Sequence, residues 1–130
     1  MPNIERLQQV VRVLEDLPKG RKFSLRFFAV GDAAHLCKTT ACACGWAASD
    51  PWFKRRGFRL YKGVCGDEYG IETRSGERDW TAIESFFGLT PNQAENLFSE
   101  WRYVRGSRRD VIRRLKKFIR DNSQTTAAGR

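Results

Sequence analysis

Residues 57–78 read GFRLYKGVCGDEYGIETRSGER, and this stretch decides the fold class because it separates two blocks of helical pattern. It holds five glycines. Alternating residues on either side of Gly63-Val64-Cys65-Gly66 predict a loop region with a small hairpin, Phe58–Lys62 against Tyr69–Thr73. A lone hairpin is only marginally stable in water, so it must pack on the helices around it. With helical spacing on both sides, the expected architecture is mainly α: a compact domain of about five helices with a small central β-hairpin.

Upstream, Asn3 is a fair N-cap, and Ile4, Leu7, Val10, Val11, Leu14 and Leu17 recur at helical spacing until Pro18-Lys19-Gly20 ends the helix. Next comes KFSLRFF, in which Ser24 can cap a single turn. GDAAHLCKTTACACGWAASDPWF reads as a loop entering a second helix, capped by Thr39 or Thr40. Its small residues Ala41, Ala43, Gly45, Ala47 and Ala48 are expected to let another helix approach closely, Trp46 fills the space beyond, and Asp50-Pro51 ends the helix and opens another turn through Phe53.

Downstream, Trp80, Ile83, Phe86 and Phe87 form an apolar stripe from Asp79 onward, stopped by Gly88. Thr90-Pro91-Asn92-Gln93 supplies a cap, a proline at the first helical position and a capping-box glutamine. Ser107-Arg108-Arg109-Asp110 repeats that logic before the last helix, where Val111, Ile112, Leu115, Phe118 and Ile119 share one stripe. Residues 1–121 are expected to form one globular domain and 122–130 a disordered tail.

A chain of 130 residues is long enough for one core, and 41% hydrophobic with 30% charged residues is a globular rather than a disordered composition. No run of about 18 apolar residues occurs, which argues against a membrane span. The opening MPNIERLQQVVRVLEDL lacks the apolar block of a secretory signal, so the expected location is the cytoplasm. There Cys37, Cys42, Cys44 and Cys65 are thiols, buried hydrophobes or metal ligands rather than disulfides.

The net charge of +9 is localised. Residues 1–101 hold 14 Lys/Arg against 13 Asp/Glu, whereas residues 102–121 hold nine basic residues against Asp110 and Asp121.

Cys37-Lys38-Thr39-Thr40-Ala41-Cys42-Ala43-Cys44-Gly45-Trp46-Ala47 resembles the pattern C-x-T-x-x-C-x-x-G-W-A of small uncharacterised bacterial and phage proteins. In those, an apolar segment like Phe86-Phe87-Gly88-Leu89-Thr90 and an Ala-x-x-Leu-Phe, here Ala94 to Phe98, follow. The resemblance spans roughly residues 23–119 and departs at Lys38, where Gly is expected, at the extra Cys44 and in the glycine-rich insert. It implies one domain unit and a bacterial or phage host, with no activity attached.

His35, Cys37, Cys42 and Cys44 have the chemistry of a Cys₃His zinc set, but they are crowded. If Cys42 and Cys44 lie on one helix they point about 200° apart. Structural packing of Cys42 is the alternative. A Cys37 nucleophile has only His35 as a base, two residues away in a presumed loop. Asp67, Glu68 and Glu72 lack the spacing of a calcium loop, and Gly63 to Gly66 lacks the Gly-Lys-Ser/Thr of a phosphate loop. Neither catalysis nor a cofactor is expected.

The basic segment remains. With the apolar stripe turned inward, Arg109, Arg113, Lys116, Lys117 and Arg120 lie on the opposite face, and Arg102 and Arg105 precede them beside Trp101 and Tyr103. Cations next to exposed aromatics suit phosphate contact with base or sugar stacking. The competing reading is an ordinary solvated helix face, with Trp101 and Tyr103 as core residues. Lys54, Arg55, Arg56, Arg59 and Lys62 form a second basic group that extends the patch if it folds nearby. The expected function is non-catalytic binding of nucleic acid or an acidic protein surface through the last helix, with a metal- or thiol-dependent protein centred on Cys37 and Cys42 as the alternative.

Overall fold

A computed structural model describes residues 1–31, 39–63 and 67–128. It overturns the expected fold class: the protein is α/β, with six α-helices around a five-stranded mixed sheet among the described residues. The strands are β1 (Lys22–Phe23), β2 (Ala29–Val30), β3 (Thr40–Ala41), β4 (Arg59–Lys62) and β5 (Glu68–Glu72), ordered β1-β3-β2-β5-β4. β1 runs parallel to β3, and every other neighbour is antiparallel.

The hairpin exists, with Leu60 opposite Ile71 and Tyr61 opposite Gly70. It is one edge of the sheet rather than an isolated unit. β2 docks on the other side of β5, Ala29 opposite Tyr69, and β3 docks on β2, Ala29 opposite Ala41. Strands of two residues show no alternation for a sequence reading to detect, because a period of two needs about four residues to become visible. They form because β5 offers its free edge.

The helices are α1 (Ile4–Glu15), α2 (Ala43–Ala48), α3 (Pro51–Arg55), α4 (Asp79–Phe87), α5 (Pro91–Phe98) and α6 (Arg108–Ala128), with a 3-10 turn at Glu100–Arg102. Several termini are where their caps put them. Asn3 accepts from the Arg6 amide at 3.1 Å. Thr90 and Gln93 make both capping-box bonds, and Gly88 closes α4 in the left-handed region at φ 66°. The start of α2 differs: Thr40 belongs to β3, and Cys42 occupies the N-cap without a side-chain bond. A threonine in β3 is bound to the sheet ladder and is not free to cap.

The core is a layer between the sheet and the helices. Leu7, Val10 and Leu14 of α1, Ile83 and Phe87 of α4, Leu97 of α5 and Val111 and Leu115 of α6 are almost wholly buried. Phe53, Phe58, Phe86, Phe87 and Phe98 form an aromatic cluster, with Phe58 stacked on Phe86 at 4.5 Å and Phe87 tilted to Phe98 at 5.8 Å. α2 is buried at all six positions. Gly45 lies directly under the Phe28 carbonyl beside β2, and Trp46 donates from Nε1 to the Lys22 carbonyl of β1 at 2.9 Å. The Gly-Trp-Ala run is thus a helix-to-sheet contact.

Asp79 joins the hairpin to α4. Its carboxylate accepts from the Tyr61 hydroxyl at 3.1 Å and from the Ile71 amide at 3.2 Å, and its backbone holds φ 55°, unusual outside glycine. Gly70 lacks a side chain because one would sit 2.5 Å from the Tyr61 ring and 2.6 Å from Asp79 Oδ1. This docking supplies the packing that the hairpin needs.

Candidate nucleic-acid interface

α6 starts at a reciprocal cap: the Asp110 amide donates to Ser107 Oγ at 3.2 Å, and the Ser107 amide to Asp110 Oδ2 at 3.3 Å. Val111 and Leu115 are fully buried, and Ile112, Phe118 and Ile119 pack against the same core. At about 100° per residue this leaves positions 109, 113, 116, 117 and 120 on the far side. Arg109, Arg113, Lys116, Lys117 and Arg120 are all exposed.

Their charge is partly compensated. Lys116 Nζ lies 2.8 Å from Glu15 of α1, Arg113 3.7 Å from Asp110, Lys117 2.7 Å from Asp121 and Arg120 3.9 Å from Asp121. Hydrogen bonds from Ser107, reinforced by Arg113 and Arg105, hold the Asp110 carboxyl below its ordinary pKa. The Lys117 hydrogen bond, then the charges of Lys117 and Arg120, do the same for Asp121. Exposed pairs of this kind contribute about 0.2–1 kcal/mol each and exchange readily with a phosphate. Arg105 and Arg109 have no carboxylate within 4 Å among the described residues.

The seven cations selected from the sequence do not share one surface. Arg102 is turned onto α5, where it bonds Glu95 Oε2 and Asn96 Oδ1, each at 2.6 Å. It fastens the approach loop. Arg114 does so too: its Nη1 donates to the carbonyls of Asn96 and Arg102 at 2.7 Å, and its guanidinium lies 3.8 Å from the Tyr103 ring centre. Tyr103 is half-buried and donates to the Leu97 carbonyl at 2.6 Å, whereas Trp101 is 87% exposed. Arg105 joins Arg113, Lys116, Lys117 and Arg120 along an open groove of about 690 Å³. Lys54, Arg55, Arg56, Arg59 and Lys62 line no part of it. Arg56 covers Trp52 at 3.6 Å, and Arg59 pairs with Glu72 at 2.9 Å.

The chain matches no family model, no curated protein and no solved structure.

The cysteine cluster offers less. His35, Cys37 and Cys65 lie outside the described residues, so the geometry about Cys37 is not placed. Cys42 and Cys44 are buried in the core, and the Cys42 thiol faces the Phe28 carbonyl at 3.8 Å. Among the described residues no three His, Cys, Asp or Glu side chains converge on a possible metal position. Burial raises the Cys42 pKa from the usual 9.0 to about 11, against the opposing pull of backbone amides at the start of α2, and burial raises Cys44 as well. At neutral pH both are thiols. In a Cys37→Ser/Cys65→Ser chain, Cys42 and Cys44 should resist a disulfide reagent at pH 8 until urea unfolds the protein; rapid reaction of the native form would contradict their burial. Because the folded pKa lies above the unfolded one, the stability held by Cys42 is full below pH 9 and lost as pH rises toward 11, at up to about 1.4 kcal/mol per pH unit.

Val104, wholly exposed at the end of the groove, was not legible as a surface residue. Nothing local distinguishes an exposed valine in a loop from a buried one.

Proposed function

We propose that this chain is a non-catalytic binding protein that engages nucleic acid, or a nucleoprotein complex, through the outer face of α6. Arg105, Arg109, Arg113, Lys116, Lys117 and Arg120 contact the phosphates, and Arg102 holds the loop that leads to them. The observation that supports this most is the exposed, predominantly cationic strip along one side of α6, open to a groove that Asp110 also lines rather than covered by another element. Surface acids offset only part of it. A solvated face serves solubility with interspersed signs, whereas α6 carries seven basic residues against Asp110 and Asp121. An accessory role in a bacterium or phage, in the cytoplasm, fits the resemblance noted above. Among the described residues no helix is long and apolar enough to cross a membrane.

The test is binding to duplex and single-stranded polynucleotides as a function of salt. About six phosphate contacts give a log–log slope near −5.4 on duplex DNA and near −4.2 on single strands, because each contact releases condensed counterions. A flat salt dependence, or no binding at about 50 mM salt, would sink the proposal.

A further inference from the structure

The least covered part of the molecule adjoins the basic groove. Apart from Met1, Trp101 and Val104 are the exposed large hydrophobic side chains among the described residues. The other tryptophans are engaged: Trp46 is buried and bonded to Lys22, Trp52 lies beneath Arg56, and Trp80 meets Phe28 edge-on at 5.8 Å. The exposure of Trp101 does not come from a loose backbone. Ser99 Oγ accepts its amide at 3.3 Å, and Arg102 and Arg114 tie the following residue to α5 and α6. The ring is held out in water by a fixed support.

An open cleft of about 850 Å³ separates the β1–β2 turn from the loop Glu100–Ser107. Leu25, Arg26 and Trp101 line it, and it shares Tyr103, Val104 and Arg105 with the groove along α6. The two hollows are therefore one path, which runs from the cations on α6 to a largely polar cleft in which the exposed ring of Trp101 is the large aromatic surface. Glu100, next to Trp101 in the chain, lines the cleft together with Arg26 and Arg105, so its charges partly offset one another and the exposed ring is what this end of the path adds for a base. A duplex can use only the cationic part, because its bases are stacked on one another. A single strand can use both, and base stacking on an aromatic ring is tolerant of sequence.

We propose that this path holds single-stranded nucleic acid, with phosphates along Arg113, Lys116, Lys117 and Arg120 and a base stacked on Trp101. The inference rests on the basic-face reading and narrows it to one class of polynucleotide. From Arg109 to Arg120 the helix advances about 16 Å. With the cleft added, the path suits a site of a few nucleotides, at the short end of the range for single-strand binders.

The experiment compares the full chain with Trp101→Ala and Trp101→Phe on an oligothymidylate of about 12 nucleotides and on a duplex of equal length, at several salt concentrations. Trp101→Ala should weaken single-strand binding roughly 5- to 150-fold without altering the salt slope, because the ring contributes stacking and no charge. Duplex affinity should not change, and Trp101→Phe should recover most of the loss. Tryptophan fluorescence should be quenched by the oligonucleotide in the native chain and not in Trp101→Ala. Since Trp101 is exposed, the thermal midpoint should be unaltered, which separates stacking from misfolding. Salt-dependent binding that is equal for duplex and single strand and indifferent to Trp101 overturns the stacking inference and leaves the basic face standing. Binding to neither polynucleotide overturns both.

Discussion

Replacing Gly45 by alanine is expected to cost about 3–5 kcal/mol, a large part of the stability of a domain this size. A β-carbon there would fall 1.6 Å from the Phe28 carbonyl oxygen, 2.7 Å from its carbon and 2.9 Å from Ala41 Cβ. The first two are backbone atoms, which cannot rotate aside as a side-chain tip can. Either α2 lifts from β2 or β2 leaves the sheet. In both cases the Cys42 amide loses its bonds to the Phe27 and Phe28 carbonyls, at 3.0 and 3.3 Å, and Trp46 is pulled from Lys22. Each lost bond is worth about 1 kcal/mol, and overpacking adds about 1–3 kcal/mol. Thermal unfolding should fall by roughly 10–20 °C. A midpoint within a few degrees of the parent would show that α2 does not press on β2.

The second large effect is on binding. The triple change Arg113→Glu/Lys116→Glu/Arg120→Glu reverses three charges along the exposed strip and should weaken polynucleotide binding by more than about 1000-fold at low salt, given the steep charge dependence of phosphate contacts. The fold should survive, since all three side chains are more than half exposed. The main penalty is a new Glu–Glu contact where Lys116 met Glu15, worth at most about 1 kcal/mol at a solvated site. Circular dichroism and the thermal midpoint report on that directly. The milder Arg113→Gln/Lys116→Gln/Arg120→Gln chain should reduce the duplex salt slope by about 2.7, one contact's share for each cation removed. Undiminished binding by the charge-reversed chain would place the site elsewhere.

The helical part of the fold was legible because its determinants are local. The apolar spacing of α1 and α4, the reciprocal caps at Thr90 and Ser107 and the glycine stop at Gly88 each lie within a few residues of the structure they specify. The basic strip was legible for the same reason: once Val111 and Leu115 are inward, helical geometry alone places Arg109, Arg113, Lys116, Lys117 and Arg120 outward. The bonds of Arg102 to Glu95 and Asn96 were not legible, because they depend on how the chain turns after α5.

The sheet was read short because strand partners are remote. β1, β2 and β3 are two residues each, and none carries a pattern of its own. Ala29 and Ala41 are strand residues only because Tyr69 and each other lie across from them.

From residue types and spacing alone came most of the helices, the caps at Asn3, Thr90 and Ser107, the stop at Gly88, and a cationic face whose exposure needs no neighbour to explain it. Tertiary structure decided that the hairpin is the edge of a five-stranded sheet, that Gly45 and Trp46 clamp α2 onto it, and that an exposed Trp101 lines a cleft continuous with the basic groove. The division follows from the bonds involved. A helix satisfies its backbone four residues away, whereas a strand edge and a cleft are closed by segments that the chain brings back from far along its length.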